Sequence, residues 1–117
     1  DIRFESFCEH HLAPIIGTAH VAYIPQGRVV GISKLARLVN VFSKRLQVQE
    51  KMTSQIADTL QKAVEPLGAA VLVEGEHHCM CTRGVHKINS TMTSIAFTGR
   101  FLKKQKLRDE FYKIIGK

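Results

Sequence analysis

The chain has 117 residues, enough for one core and too few for a second full domain. Hydrophobic residues make up 44% and charged residues 23%, a soluble globular balance that excludes a low-complexity or disordered chain. The net charge of +7 favours an anionic partner (nucleic acid, a membrane surface or a phosphorylated small molecule), with a solvated basic surface as the simpler alternative.

Residues 2–7 read as a short strand and residues 17–24, GTAHVAYI, as another. The chain opens at Asp1 rather than at a Met, with that first strand already under way, so upstream elements are expected to be missing. Pro25-Gln26-Gly27 signals a turn. Ser33 is a good helix N-cap, and Leu35, Leu38, Val39, Phe42 and Leu46 follow at helical spacing. A second helix is expected over residues 48–65, with Val48, Met52, Ile56, Leu60 and Val64 on one core-facing stripe. Pro66 and Gly68 stop it. Residues 69–81 read as a strand, Gly84 breaks it, and residues 90–102 read as the return strand. Lys103-Lys104-Gln105-Lys106 looks like a surface helix start, and Leu107, Phe111, Ile114 and Ile115 suggest a short C-terminal helix. Strand pairs flanking a helical pair favour an antiparallel α+β sheet over a βαβ fold.

Two segments concentrate the reactive side chains: Cys8-Glu9-His10-His11, and the run from Glu76 through His77, His78, Cys79, Met80 and Cys81 to Arg83. They hold four of the six histidines and all three cysteines. An odd cysteine count cannot pair fully within the chain, and neither a signal peptide nor a membrane-length apolar run is present. These features point to a reducing, cytoplasmic setting with thiols available to a metal. Cys8 and His11 have a spacing that can wrap one ion, and Zn2+ suits thiolate and imidazole ligands. On a strand, His77, Cys79 and Cys81 share one face. Cys8, His11 and Cys79 leave a tetrahedral ion one open position, as catalysis requires; adding Cys81 closes it into a structural site. Spacing alone leaves both open, and Cys81 also reads as a small buried hydrophobe. His10 and His77 are imidazoles able to carry protons, or simply hydrogen-bonded supports of metal ligands. His20 and His86 show no partner signal and read as structural or surface residues.

Ser33, Lys34 and Arg37 sit at a helix start, where free N–H groups favour anions, and Arg83 could join them in gripping a phosphate chain. An ordinary basic helix end is the simpler reading. In Gln47-Val48-Gln49-Glu50, a carboxylate opens the second helix. It could cap the helix or accept two N–H bonds from a guanine edge, and spacing does not decide.

Taken together, CEHHLAP, GISKLARLV, RLQVQE and EGEHHCMCTRGV, in this order and spacing, closely resemble GTP cyclohydrolase I. The resemblance covers essentially the whole chain. It implies one catalytic domain over residues 1–117, without the family's N-terminal helical region. It also implies the tunnelling fold: a four-stranded antiparallel sheet with two helices between its halves, plus a short C-terminal helix, assembled into barrels. The implied homo-oligomer is a decamer of two pentamers with active sites at subunit boundaries. The implied reaction is hydrolysis of GTP at C8 with loss of formate and rearrangement to 7,8-dihydroneopterin triphosphate. By the resemblance, Cys8, His11 and Cys79 hold Zn2+, which resolves the ligand set in favour of an open site. His77 and His10 move protons, Glu50 holds the guanine edge with Gln49 beside it, and Ser33, Lys34, Arg37 and Arg83 bind the ribose–triphosphate end. Cys81 departs from the family pattern, where a non-ligand residue is expected. No nucleic acid or membrane partner is implied. A tunnelling-fold nitrile reductase is the nearest rival, but it needs a nucleophilic thiol and a nicotinamide cofactor. A non-catalytic zinc module binding nucleic acid is the other; it predicts Cys81 as a fourth ligand.

Overall fold

The computed structural model describes residues 1–9, 13–77 and 91–117, the side chain of residue 77 excepted. Alternation builds the first strand, β1 (Ile2–Cys8). Phe4, Ser6 and Cys8 are buried while Arg3, Glu5 and Phe7 are exposed. β2 (Pro14–Ile24) pairs antiparallel with it, from Ile2 opposite Ala19 to Phe7 opposite Pro14. Two helices follow, α1 (Ile32–Ser43) and α2 (Gln49–Val64), joined through the two-residue strand β3 (Leu46–Gln47). β4 (Gly68–His77) and β5 (Met92–Gly99) complete the sheet. A short helix α3 (Arg100–Lys103) and the C-terminal helix α4 (Gln105–Ile115) end the chain.

The strand order is β3-β1-β2-β4-β5. All neighbours are antiparallel except β3, which lies parallel to β1. The sheet is buried on two sides by different elements. On one face Val39 of α1 and Met52, Ile56 and Ala57 of α2 pack against Phe4, Ile15, Ala19, Val71 and Val73. On the other, Phe101 and Phe111 cover Ala70 and Leu72, with Phe97, Leu107, Tyr112 and Ile115 around them. Each large side chain so buried contributes roughly 1.5–3 kcal/mol.

The four antiparallel strands, the inserted helix pair and the C-terminal helix are the architecture expected from the sequence. Several details differ: β2 begins at Pro14 rather than at residue 17, and Leu46, expected on the stripe of the first helix, lies exposed in β3. β3 is an additional strand, parallel and only two residues long, too short to leave a periodic signal. Ser33 is not the N-cap. α1 begins at Ile32 with Gly31 as cap, and no side chain caps it. The Gly31 carbonyl accepts the Lys34 N–H at 2.9 Å, so the backbone closes that first turn unaided. Finally, the last strand ends at Gly99 rather than running to residue 102. Gly99 adopts φ +57°, and the chain turns there into α3.

Candidate active site

Cys8 is the buried last residue of β1. Its N–H bonds the Ala13 carbonyl at 2.9 Å. The same residue pairs with Gln47 of β3, and the Glu9 N–H reaches the Gln47 carbonyl at 3.1 Å. Across the sheet β4 ends at His77, opposite Ile15, one residue along from the Phe7–Pro14 pair. The backbones of Cys8 and His77 therefore finish at the same end of the sheet, two strands and about 10 Å apart. β5 starts at this end too, with Met92 opposite Gly75. So does α2, which follows β3 after one residue.

The Gln47–Glu50 segment divides its side chains between three tasks. Gln47 is buried and donates from Nε2 to the Phe42 carbonyl at 2.7 Å and to Gln55 Oε1 at 3.1 Å. Gln49 is fully buried, and its Nε2 donates to Val73 O at 3.1 Å, Met92 O at 2.8 Å and Ser94 Oγ at 3.1 Å. Glu50 is exposed in the first turn of α2, where the positive end of the helix favours a carboxylate. Gln49, expected beside Glu50 at a guanine edge, instead turns its side chain into the core.

Ser33, Lys34 and Arg37 are exposed on α1. The start of that helix lies at the other end of the molecule. The Val30 N–H just before it bonds Tyr23 Oη at 2.9 Å, and Val30 and Leu35 pack on Leu60, Val64 and Ala69. The opposite end of α1 adjoins β3, where Phe42 receives the Gln47 bond. A helix of twelve residues separates the two ends, about 18 Å. Within one chain Lys34 thus sits at the end of α1 away from Cys8 and Glu50, and Arg37 near the middle of the helix.

His10, His11, Cys79, Cys81, Arg83 and the side chain of His77 lie outside the described residues. Among the described residues no three His, Cys, Asp or Glu side chains meet to hold a metal, and Cys8 is the predicted ligand they include. A cysteine thiolate is a donor that suits Zn2+. His20, read as structural or surface, is buried on the face opposite α1 and α2, with Nδ1 3.3 Å from Asp1 Oδ1. Burial pushes its imidazole below the ordinary value; Lys117 adds to this and Glu74 opposes it.

Sequence reasoning missed Thr53, Ser94 and Gly75, which surround the Gln49 amide. Gly75 gave a usable signal, because a glycine inside a strand marks a close approach. A Cβ there would lie 2.7 Å from Gln49 Oε1. Among the described residues no helix is long and apolar enough to cross a membrane.

Comparison with known proteins places this arrangement. Residues 1–116 match the family model of GTP cyclohydrolase I. GTP cyclohydrolase 1 of Maricaulis maris is 56% identical over 115 residues, covering 98% of this chain and 56% of the relative. The Methylococcus capsulatus protein of that name is 53% identical over 117 residues, covering all of this chain and 63% of the relative. The Campylobacter curvus one is 55% identical over 116 residues, covering 99% and 61%. The chain thus spans about three fifths of the length of these relatives. A crystal structure of the archaeosine synthase QueF-Like in the apo form shares the fold, with a TM-score of 0.65 and 22% identity over 83% of this chain and 87% of that one. Motifs, sheet and near-complete family match agree: the chain belongs to the GTP cyclohydrolase I family.

Proposed function

We propose that this chain is the catalytic domain of a cytoplasmic, zinc-dependent GTP cyclohydrolase I. It hydrolyses GTP at C8, releases formate and forms 7,8-dihydroneopterin triphosphate. One structural observation carries the reading beyond family membership. The sheet gathers Cys8, the backbone end of β4 at His77 and the exposed carboxylate of Glu50 at a single end.

Cys8, His11 and Cys79 would hold Zn2+ with one position open. When bound, the ion supplies a Lewis acid and an acidified water near neutral pH. The chain's own residues do the rest. Glu50 accepts the N1–H and the 2-amino N–H of guanine, a pattern that only a base with two adjacent donors satisfies. This fixes the purine in register and orients its C8. His77 delivers a proton to the imidazole ring nitrogen as the C8–N bond opens, and His10 moves protons near the ribose. Lys34, Arg37 and Arg83 neutralise the triphosphate, with the Ser33 hydroxyl as a further donor.

Ser33 and Lys34 stand at the end of α1 away from Cys8 and Arg37 near its middle, so the reading assigns the cations of α1 to the site of a neighbouring copy in a homo-oligomer, the decamer of two pentamers. Val29 and Ile32, at 80% and 89% exposure beside Lys34, support contact there, since such apolar side chains favour burial against a partner.

The test is zinc-loaded intact protein with GTP and no nicotinamide cofactor. Stoichiometric formate and a dihydropterin absorbance are expected. Zinc-replete protein that leaves GTP intact would overturn the reading.

A further inference from the structure

The amide of Gln49 occupies a place where a helix normally puts an apolar residue. It lies on the buried line of α2 with Met52, Thr53, Ile56 and Leu60. Burying an amide is costly unless it is bonded, and an apolar side chain of equal size is often as stable. Here the amide is bonded thoroughly. Two hydrogens on Nε2 serve three acceptors: Val73 O, Met92 O and Ser94 Oγ. Ser94 Oγ is 2.6 Å from Thr53 Oγ1, which donates to the Gln49 carbonyl at 2.8 Å. With Ser94 donating to Thr53, the bonds close into a ring in which each hydroxyl donates once and accepts once. Gly75 leaves the space; a Cβ there would also lie 3.0 Å from Ile15 Cγ2.

What the ring joins is specific. Val73 belongs to β4, and Met92 and Ser94 to the start of β5. Gln49 sits at the corner between β3 and α2. On one side of that corner Gln47 pairs with Cys8; on the other Glu50 is exposed. We infer that Gln49 is a positioning residue: its buried amide locks the β3–α2 corner, and with it Cys8 and Glu50, to the β4–β5 half of the sheet. The inference rests on the cyclohydrolase reading for what Cys8 and Glu50 do. It makes the amide a device for register rather than for stability, and it removes the Gln49 side chain from direct contact with GTP.

Gln49→Met in the intact protein keeps the volume and deletes the amide. Gly75→Ala keeps the amide and displaces it, so it stands in if the first variant does not fold. Three readouts are taken: the melting temperature, Co2+ affinity with the visible spectrum of the cobalt-substituted protein, and kcat and KM for GTP. Positioning predicts a folded protein with an altered cobalt spectrum, and a fall in metal affinity and in kcat/KM of about tenfold to a hundredfold each. A wild-type cobalt spectrum and metal affinity, whatever happens to KM, would mean that the amide does not set Cys8 and would overturn the inference. A changed melting temperature with both other readouts intact would mean a purely structural role and overturn it equally. Wild-type protein that binds cobalt but releases no formate sinks the cyclohydrolase reading alone, because the cobalt spectrum still reports on Gln49. Wild-type protein that binds no cobalt overturns both.

Discussion

Glu50 and Gln49 are neighbours in sequence with opposite fates, one exposed and one fully buried. A 100° step along the helix accounts for this: one residue faces the sheet and the next faces outward. Because Glu50 is exposed, Glu50→Gln is expected to cost no more than its interaction with the helix end, about 0.3–1 kcal/mol. Its effect falls on recognition. The amide offers one acceptor and one donor group where guanine offers two donors, so a donor meets a donor. Losing a charge-assisted hydrogen bond of about 1.5–3 kcal/mol corresponds to a rise of roughly tenfold to a hundredfold in KM for GTP. Steady-state kinetics beside a thermal melt check this, and a variant with wild-type KM would remove Glu50 from the guanine edge. The sequence offered Glu50 as either a cap or a base-binding carboxylate, and spacing could not choose. Its exposure in the first turn of α2 suits the helix end and also leaves it accessible to a base. The inward turn of Gln49 was not legible, because it depends on acceptors 24 to 45 residues away and on the missing Cβ of Gly75.

At the scale of elements, periodicity carried most of the information. α2 was legible because Met52, Ile56, Leu60 and Val64 repeat every four residues and are all buried. β1 was legible because burial alternates. Where periodicity runs out, so does the reading. β3 has two residues and exists only because Cys8 supplies a parallel partner. The β5–α3 boundary was missed because the sequence stays apolar through Phe101 and Leu102, while the decisive property is the backbone of Gly99. Its φ is +57°, and a Cβ there would lie 2.2 Å from the Leu67 carbonyl oxygen. That carbonyl also receives the Arg100 N–H at 2.9 Å. Gly99→Ala is therefore expected to destabilise the chain by at least about 2 kcal/mol, combining the positive-φ cost with a backbone clash. The effect would be on stability: Gly99 pairs with Gly68, at the end of β4 away from His77, so residual folded protein keeps its metal affinity. Denaturant unfolding and a metal titration separate the two.

For the whole molecule, the question is how the proposed site draws together residues that one chain holds on different elements. The sheet brings the Cys8 and Glu50 residues to one end, while α1 holds Ser33 and Lys34 at its far end and Arg37 near its middle. Both groups have the chemistry the reaction needs, the first for the base and the second for an anionic chain of phosphates. A ring in which each copy offers one end to its neighbour reconciles them, and heterologous contacts close into rings when the rotation permits. This has a consequence that no single-chain site shares. Cys8→Ser would lack a proposed metal ligand, and Lys34→Ala a proposed phosphate contact; each alone should lose most of its activity. Subunits of the two variants, dissociated, mixed in equal amounts and reassembled, place an intact metal end against an intact α1 in about one site in four. Formate release should recover to about a quarter of the wild-type rate per site after mixing, and not before. If the site were contained within one chain, every subunit in the mixture would carry one defect and no activity would return.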